Sequence, residues 1–167
     1  SLPKNRFTAL DEEKLELLRC TFIKNLRNYG YKSISNLENI SISRESYLPL
    51  SEGFDMKFDS SASDNIRVIW AFTMALLQVS LEKFGNHPTL LIFDEPDQQS
   101  IVIGDMKAFF TSVIRLDDKC QVIMGITLKD TDTRRAIQSL EHDKYHQIDV
   151  PNKAFQFIKK TDEDNFE

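Results

Sequence analysis

The stretch Leu90-Leu91-Ile92-Phe93-Asp94-Glu95-Pro96 ends an apolar run in two adjacent carboxylates and a proline. An unbroken apolar run predicts a strand buried on both faces, as in a parallel sheet. Pro96 has no backbone N–H and cannot extend that strand in mid-sheet, so the carboxylates fall at its carboxyl end. In open α/β sheets, ligands bind at that end. A pair of acids there suits a Mg²⁺-nucleotide site, one holding the hydrated metal and the other taking a proton from water. A solvated loop or a helix N-cap explains the same pair.

The segment upstream narrows the reading. Phe58-Asp59-Ser60-Ser61-Ala62-Ser63-Asp64-Asn65-Ile66-Arg67 runs directly into helical spacing at Ile66, Ile69, Trp70, Thr73, Leu76, Leu77, Leu81 and Phe84. Ser61, Ser63 or Asp64 is a suitable N-cap. Gly85-Asn86 is read as the C-cap, with Pro88 just beyond. The first turn of a helix exposes N–H groups and the positive end of the helix dipole, and serines there can bind phosphate. A serine that simply caps the helix is the plainer alternative.

Together the two segments resemble the C-terminal half of an ABC-type ATPase head. The family signature is Leu-Ser-Gly-Gly-Gln, followed after two residues by Arg. Here the same frame reads Ser60-Ser61-Ala62-Ser63-Asp64, then Asn65, Ile66 and Arg67. A long helix leads on to Leu90–Pro96, which matches the Walker B motif. The resemblance covers roughly residues 40–160 and is best to the SMC-like branch of chromosome-organising and double-strand-break-repair ATPases. It implies an α/β, P-loop NTPase-like C-terminal lobe, with a mostly parallel sheet flanked by helices, an N-terminal helix and a C-terminal hairpin.

The chain departs from the family at several points. Ala62 and Ser63 stand where the family has glycines, and they restrict close backbone approach. Asp64 brings a negative charge near an expected phosphate. The D-loop runs Asp97-Gln98-Gln99-Ser100-Ile101 and lacks the usual Leu-Asp pair. The strand Gln121–Ile126 leads to Thr127-Leu128-Lys129-Asp130 where a switch histidine is expected. Thr127 offers a hydroxyl to a γ-phosphate but no imidazole, which predicts slow hydrolysis or a substitute group. No Gly-x-x-x-x-Gly-Lys-Ser/Thr stretch occurs, so tight ATP binding by this chain alone is not expected. The chain opens at Ser1-Leu2, and is read as the C-terminal lobe of a longer protein whose Walker A lobe and coiled-coil arm come first.

Residues 1–30 are read as an N-terminal helix, the base of a returning arm or an ordinary surface helix. Leu15, Leu18, Phe22, Leu26 and Tyr29 form one apolar stripe. Asp11, Glu12 and Glu13 come early and Lys24 and Arg27 late, which complements the helix dipole. Gly30 is the expected stop. Residues 31–160 form the lobe itself. Ile40, Ile42, Phe54, Met56 and Phe58 alternate with polar residues, predicting strands or a hairpin across Ser51-Glu52-Gly53. Helices are expected at Asp105–Leu116 and Asp132–Leu140, and a final hairpin from Tyr145–Val150 and Ala154–Ile158 around Pro151-Asn152. Residues 161–167 read as an acidic disordered tail.

Composition fits one domain able to bury a core, with apolar surface left where a partner lobe docks. No stretch reads as a membrane span or signal peptide. Cys20 and Cys120 stand far apart and offer neither a disulfide framework nor a zinc site, which predicts a reducing, cytoplasmic setting. The net charge of −5 does not favour nucleic-acid binding by this piece, so any DNA contact falls to the full-length protein. His142 and His146 are four apart but lack a third metal ligand, and His87 reads as structural.

The resemblance then assigns roles. Asp94 would hold Mg²⁺, through water. Glu95 would orient and deprotonate the attacking water. Ser61, Ala62 and Ser63 would meet the γ-phosphate of ATP held by the opposite head of a homodimer, with Thr127 nearby. The parent would act in DNA repair, chromosome maintenance or DNA defence. The competing expectation is a non-catalytic or nucleotide-gated dimerisation module: the altered D-loop and the absent histidine favour it, and the intact Asp94-Glu95 pair opposes it.

Overall fold

Helix α1, Ala9–Asn28, starts where Thr8 and Asp11 form a capping box. The Thr8 N–H donates to Asp11 Oδ2 at 2.8 Å, and the Asp11 N–H donates back to Thr8 Oγ1 at 3.2 Å. Two helix donors are thereby satisfied at once. Gly30 ends the helix at φ +75°, with Tyr31 N–H returning to Leu26 O at 3.1 Å and Gly30 N–H to Arg27 O at 3.4 Å. This is a Schellman turn, which needs a left-handed residue after the cap. The stripe expected from sequence is realised: Leu18, Phe22, Leu26 and Tyr29 are buried. These observations come from a computed structural model that describes residues 7–56, 61–83, 85–96, 101–116, 118–128 and 131–150.

A 3₁₀ turn, Leu37–Asn39, leads into three short antiparallel strands, β1 (Ile40–Ile42), β2 (Pro49–Ser51) and β3 (Phe54–Asp55). Ser51 pairs with Phe54 across Glu52-Gly53, whose φ values of +50° and +86° give the twist a two-residue hairpin needs. The hairpin read from the sequence is therefore present at Ser51-Glu52-Gly53. Phe58 lies outside the described residues.

Helix α2, Ala62–Glu82, is capped by Ser61 and ends one turn before the expected Gly85-Asn86 stop. Lys83 is its cap residue, and Gly85 N–H returns to Ser80 O at 2.8 Å. Its inner face is Trp70, Ala71, Met74, Ala75 and Leu77, packed on α1. Asn25 of α1 donates to Ala71 O at 3.1 Å and to Gln78 Oε1 at 2.9 Å, so a buried amide sets the crossing of the two helices. Ile69 and Leu76, expected on the apolar stripe, are turned outward and exposed.

Strand β4 (Leu90–Asp94) follows, then helix α3 (Ile103–Ile114), strand β5 (Gln121–Gly125) and helix α4 (Thr131–Gln138). β4 and β5 pair in parallel, Leu90 with Gln121 through Asp94 with Gly125. The fold is thus mixed α/β, with four helices, a three-stranded antiparallel sheet and a parallel pair among the described residues.

Two expectations are corrected. The parallel sheet is a minority element, because only β4 and β5 contribute to it among the described residues. And β4 is buried on one face, not both. Leu91 and Phe93 are buried while Leu90 is 38% and Ile92 is 68% exposed. Ile123 of β5 is also exposed, at 45%. Successive side chains of a strand point to opposite faces, so this alternation marks one covered face and one bare face. Of the expected last hairpin, only the first arm lies within the described residues. Tyr145–Val150 has no strand, after a 3₁₀ turn at His142–Lys144; Ala154–Ile158 and the tail 161–167 lie outside the described residues.

The core centres on Phe109 of α3. Its ring stacks on Trp70 at 4.3 Å, nearly parallel, and meets Tyr29 and Phe93 edge-on at 5.5 and 5.2 Å. Stacked and edge-to-face rings are the favoured aromatic geometries. One side chain thus ties α1, α2 and β4 together, and Phe93 immediately precedes Asp94.

Candidate functional site

The carboxylate pair sits where the sequence places it, at the carboxyl end of β4. Asp94 is the last strand residue and is exposed, on the same side of the sheet as Leu90 and Ile92. Glu95 is half-buried and holds φ +48°. That left-handed conformation costs a non-glycine residue about 1–2 kcal/mol. It is held in place on both sides. Its N–H donates to Gly125 O of β5 at 2.8 Å, and Pro96 after it is buried. The turn swings the Glu95 side chain toward the end of β5, where the Thr127 hydroxyl donates to Glu95 Oε1. Gly125, opposite Asp94, is the small neighbour of this corner: a Cβ there would lie 3.4 Å from Asp94 Oδ1. Non-glycine residues in unfavourable backbone wells persist where the surroundings over-determine them, and they cluster at functional sites.

The serine segment forms a second cluster. Ser61 is the α2 N-cap, its Oγ accepting from Asp64 N–H at 3.2 Å and lying 3.2 Å from Ser63 Oγ. The capping alternative read from the sequence is therefore realised. Asp64 departs from expectation. Its carboxylate does not face outward where a phosphate would arrive. It is buried with Arg67, Nη1 to Oδ1 at 2.9 Å, and its other oxygen accepts from Ser33 Oγ at 2.5 Å and Lys32 N–H at 3.3 Å. Two donors and a guanidinium are what a buried carboxylate requires. Arg67 in turn reaches Asp105 of α3, with Nη2 at 2.6 Å and Nε at 3.1 Å from Oδ2.

The structure thus joins Asp94, Glu95 and Thr127 at one sheet end, and groups Ser61, Ala62 and Ser63 on a separate helix terminus. The residues the sequence reading missed in this cluster are Ser33 and the pairing role of Asp105. Arg67 was the signal: an arginine in the first turns of an otherwise apolar helix needs buried acids, and Asp64 and Asp105 supply them. Asp97–Ser100, Lys129 and Asp130 lie outside the described residues. His87 is structural, its Nδ1 accepting from Thr89 N–H at 3.1 Å. His142 Nδ1 lies 3.0 Å from the Tyr145 hydroxyl, and no group of three metal-ligating side chains occurs among the described residues.

Among the described residues, no helix is long and apolar enough to cross a membrane. No protein-family model, no curated protein and no solved structure matches the chain.

Proposed function

We propose that this chain is the C-terminal lobe of an SMC-like ABC ATPase head, binding and hydrolysing Mg-ATP at the interface of two heads. The observation that carries the reading is the corner formed by Asp94, Glu95 and Thr127 at the carboxyl end of two parallel strands. Parallel α/β sheets bind ligands at that end. Asp94, exposed on the corner, would hold Mg²⁺ through water. Glu95 would orient and deprotonate the attacking water. The Thr127 hydroxyl already donates to the Glu95 carboxylate, so it supports a positioning role for that base, in the place where the family has an imidazole. Ser61 would meet the γ-phosphate from the opposite head, with the Ala62 and Ser63 N–H groups at the open end of α2. Phosphoryl transfer of this kind depends on positioning and charge stabilisation.

The bare face of β4 and β5 supports the partner. Leu90, Ile92 and Ile123 are apolar and exposed on one side of a sheet of only two described strands. A further α/β layer bearing Walker A would cover them, within the same parent chain. Closure on ATP and opening after hydrolysis would move whatever the parent holds, DNA included.

The test is Mg-ATP turnover by the full-length parent beside a Glu95→Gln variant. Turnover that disappears in the variant, with ATP still bound, is the expected result. Equal turnover in both overturns Glu95 as the base. ATP binding without turnover in either protein favours a nucleotide-gated clamp, and no ATP binding removes the reading altogether.

A further inference from the structure

We propose that Arg67 is a positioning residue that makes the placing of Ser61 depend on the C-terminal turn of α1 and on the start of α3. The inference rests on the reading of Ser61 as a phosphate contact and concerns what fixes that residue. Arg67 pairs its guanidinium with acids of two segments, and a third segment reaches one of those acids. Its side chain is 7% exposed, and those of Asp64 and Asp105 are 6% and 22% exposed. Asp64 belongs to the first turn of α2, and Asp105 to the first turn of α3. The third segment is the turn after α1. Ser33 Oγ donates to Asp64 Oδ2 at 2.5 Å and accepts from Ser61 N–H at 3.3 Å. Lys32 N–H points at the same Asp64 oxygen at 3.3 Å.

Ser61 is therefore fixed twice over. Its N–H is held by Ser33, and its Oγ by Asp64 N–H. Both holds pass through groups that Arg67 keeps in place. Gly30 completes the arrangement. A Cβ on Gly30 would lie 2.3 Å from Asp105 Oδ1, so the α1 turn seats directly against the carboxylate that Arg67 grips. Gly30 also holds φ +75°, which a side chain resists. The guanidinium suits the task because its rigid fork reaches two carboxylates in fixed directions, whereas an ammonium is a single point charge. A shift of the α1 turn would move Asp105, then Arg67 and Asp64, and finally the serine cap. Packed polar networks of this kind carry coupling between elements through discrete contacts.

The test uses two readouts. In this chain, Gly30→Ala displaces Asp105. Amide hydrogen exchange at Ser61 and Asp64 is expected to rise about tenfold, while Met74–Leu77 in the middle of α2 stays protected. No change at Ser61 and Asp64, or an equal rise along all of α2, overturns the proposal. In the full-length parent, Asp105→Asn keeps the shape and one acceptor oxygen and leaves Arg67 paired with Asp64. It is expected to lower kcat about tenfold with the KM for ATP unchanged, because a displaced group affects the reacting complex while ATP is held elsewhere. Arg67→Lys is expected to behave like Asp105→Asn and not to rescue. An unchanged kcat, a loss confined to KM, or full activity in Arg67→Lys overturns the proposal. If the parent has no turnover at all, the ATPase reading fails, and the exchange measurement still decides the role of Arg67.

Discussion

The two faces of the β4–β5 pair are built from nearly the same residue types and have opposite fates. On one, Leu91 and Phe93 are buried against the aromatic cluster around Phe109. On the other, Leu90, Ile92 and Ile123 face outward. Burial releases apolar surface from water at roughly 25 cal/mol per Å², so the covered face stabilises the chain and the bare one contributes little. The lesson is that a strand's apolar content alone does not say which of its faces is buried; that depends on which elements pack against it.

The sharpest way to break this comparison is at its covered centre. Phe109→Ala is expected to cost about 3–5 kcal/mol, because a large cavity opens among four packed elements. Urea unfolding measures it, and a loss below about 1 kcal/mol would mean the aromatic stack does not organise the core.

The corner joining the two faces should respond in the other direction. Glu95→Gly relieves a left-handed glutamate and is expected to stabilise the chain by about 1 kcal/mol, while removing the proposed base. A lower unfolding midpoint would show that Glu95 is not strained there.

Tyr29 sharpens the covered side. Its ring is buried in the cluster, yet its hydroxyl has no hydrogen-bond partner among the described residues. Ser112 lies close enough to favour the phenolate slightly, but its Oγ already accepts from Asn28 and donates to Ala108 O. Burial therefore dominates and pushes the phenol up to about 12 from 10.0. The unfolded chain ionises first, so this stability is complete below pH 10 and is lost as pH rises toward about 12. Tyr29→Phe is expected to flatten that loss and to raise stability at neutral pH by up to about 1 kcal/mol, since it removes an unpaired buried hydroxyl. Denaturant titrations at several pH values check both; an unchanged alkaline slope would place the hydroxyl in water.

The smallest effect belongs to the bare face. Ile92→Thr is expected to change the stability of this chain by no more than about 0.5 kcal/mol, the usual range for exposed positions. A loss of several kcal/mol would mean that the face is already covered.

Much of the local structure was legible in the residues. The α1 stripe, the Gly30 stop, the Ser51–Gly53 hairpin and a strand ending at Asp94-Glu95 all follow from periodicity and turn chemistry, which act over a few residues. The proposed nucleotide chemistry also comes from the residues, through motif order, and the corner geometry is compatible with it. Other features depended on contacts between distant segments. Asp64 turned inward because Arg67, Ser33 and Lys32 meet it from separate parts of the chain. Thr127 reached Glu95 because β5 lies beside β4. Ile92 stayed bare because no described element covers that side. Short-range patterns specify where a helix or strand begins and which of its faces is apolar. Which partner meets that face depends on packing between segments far apart in sequence, and only the folded chain decides it.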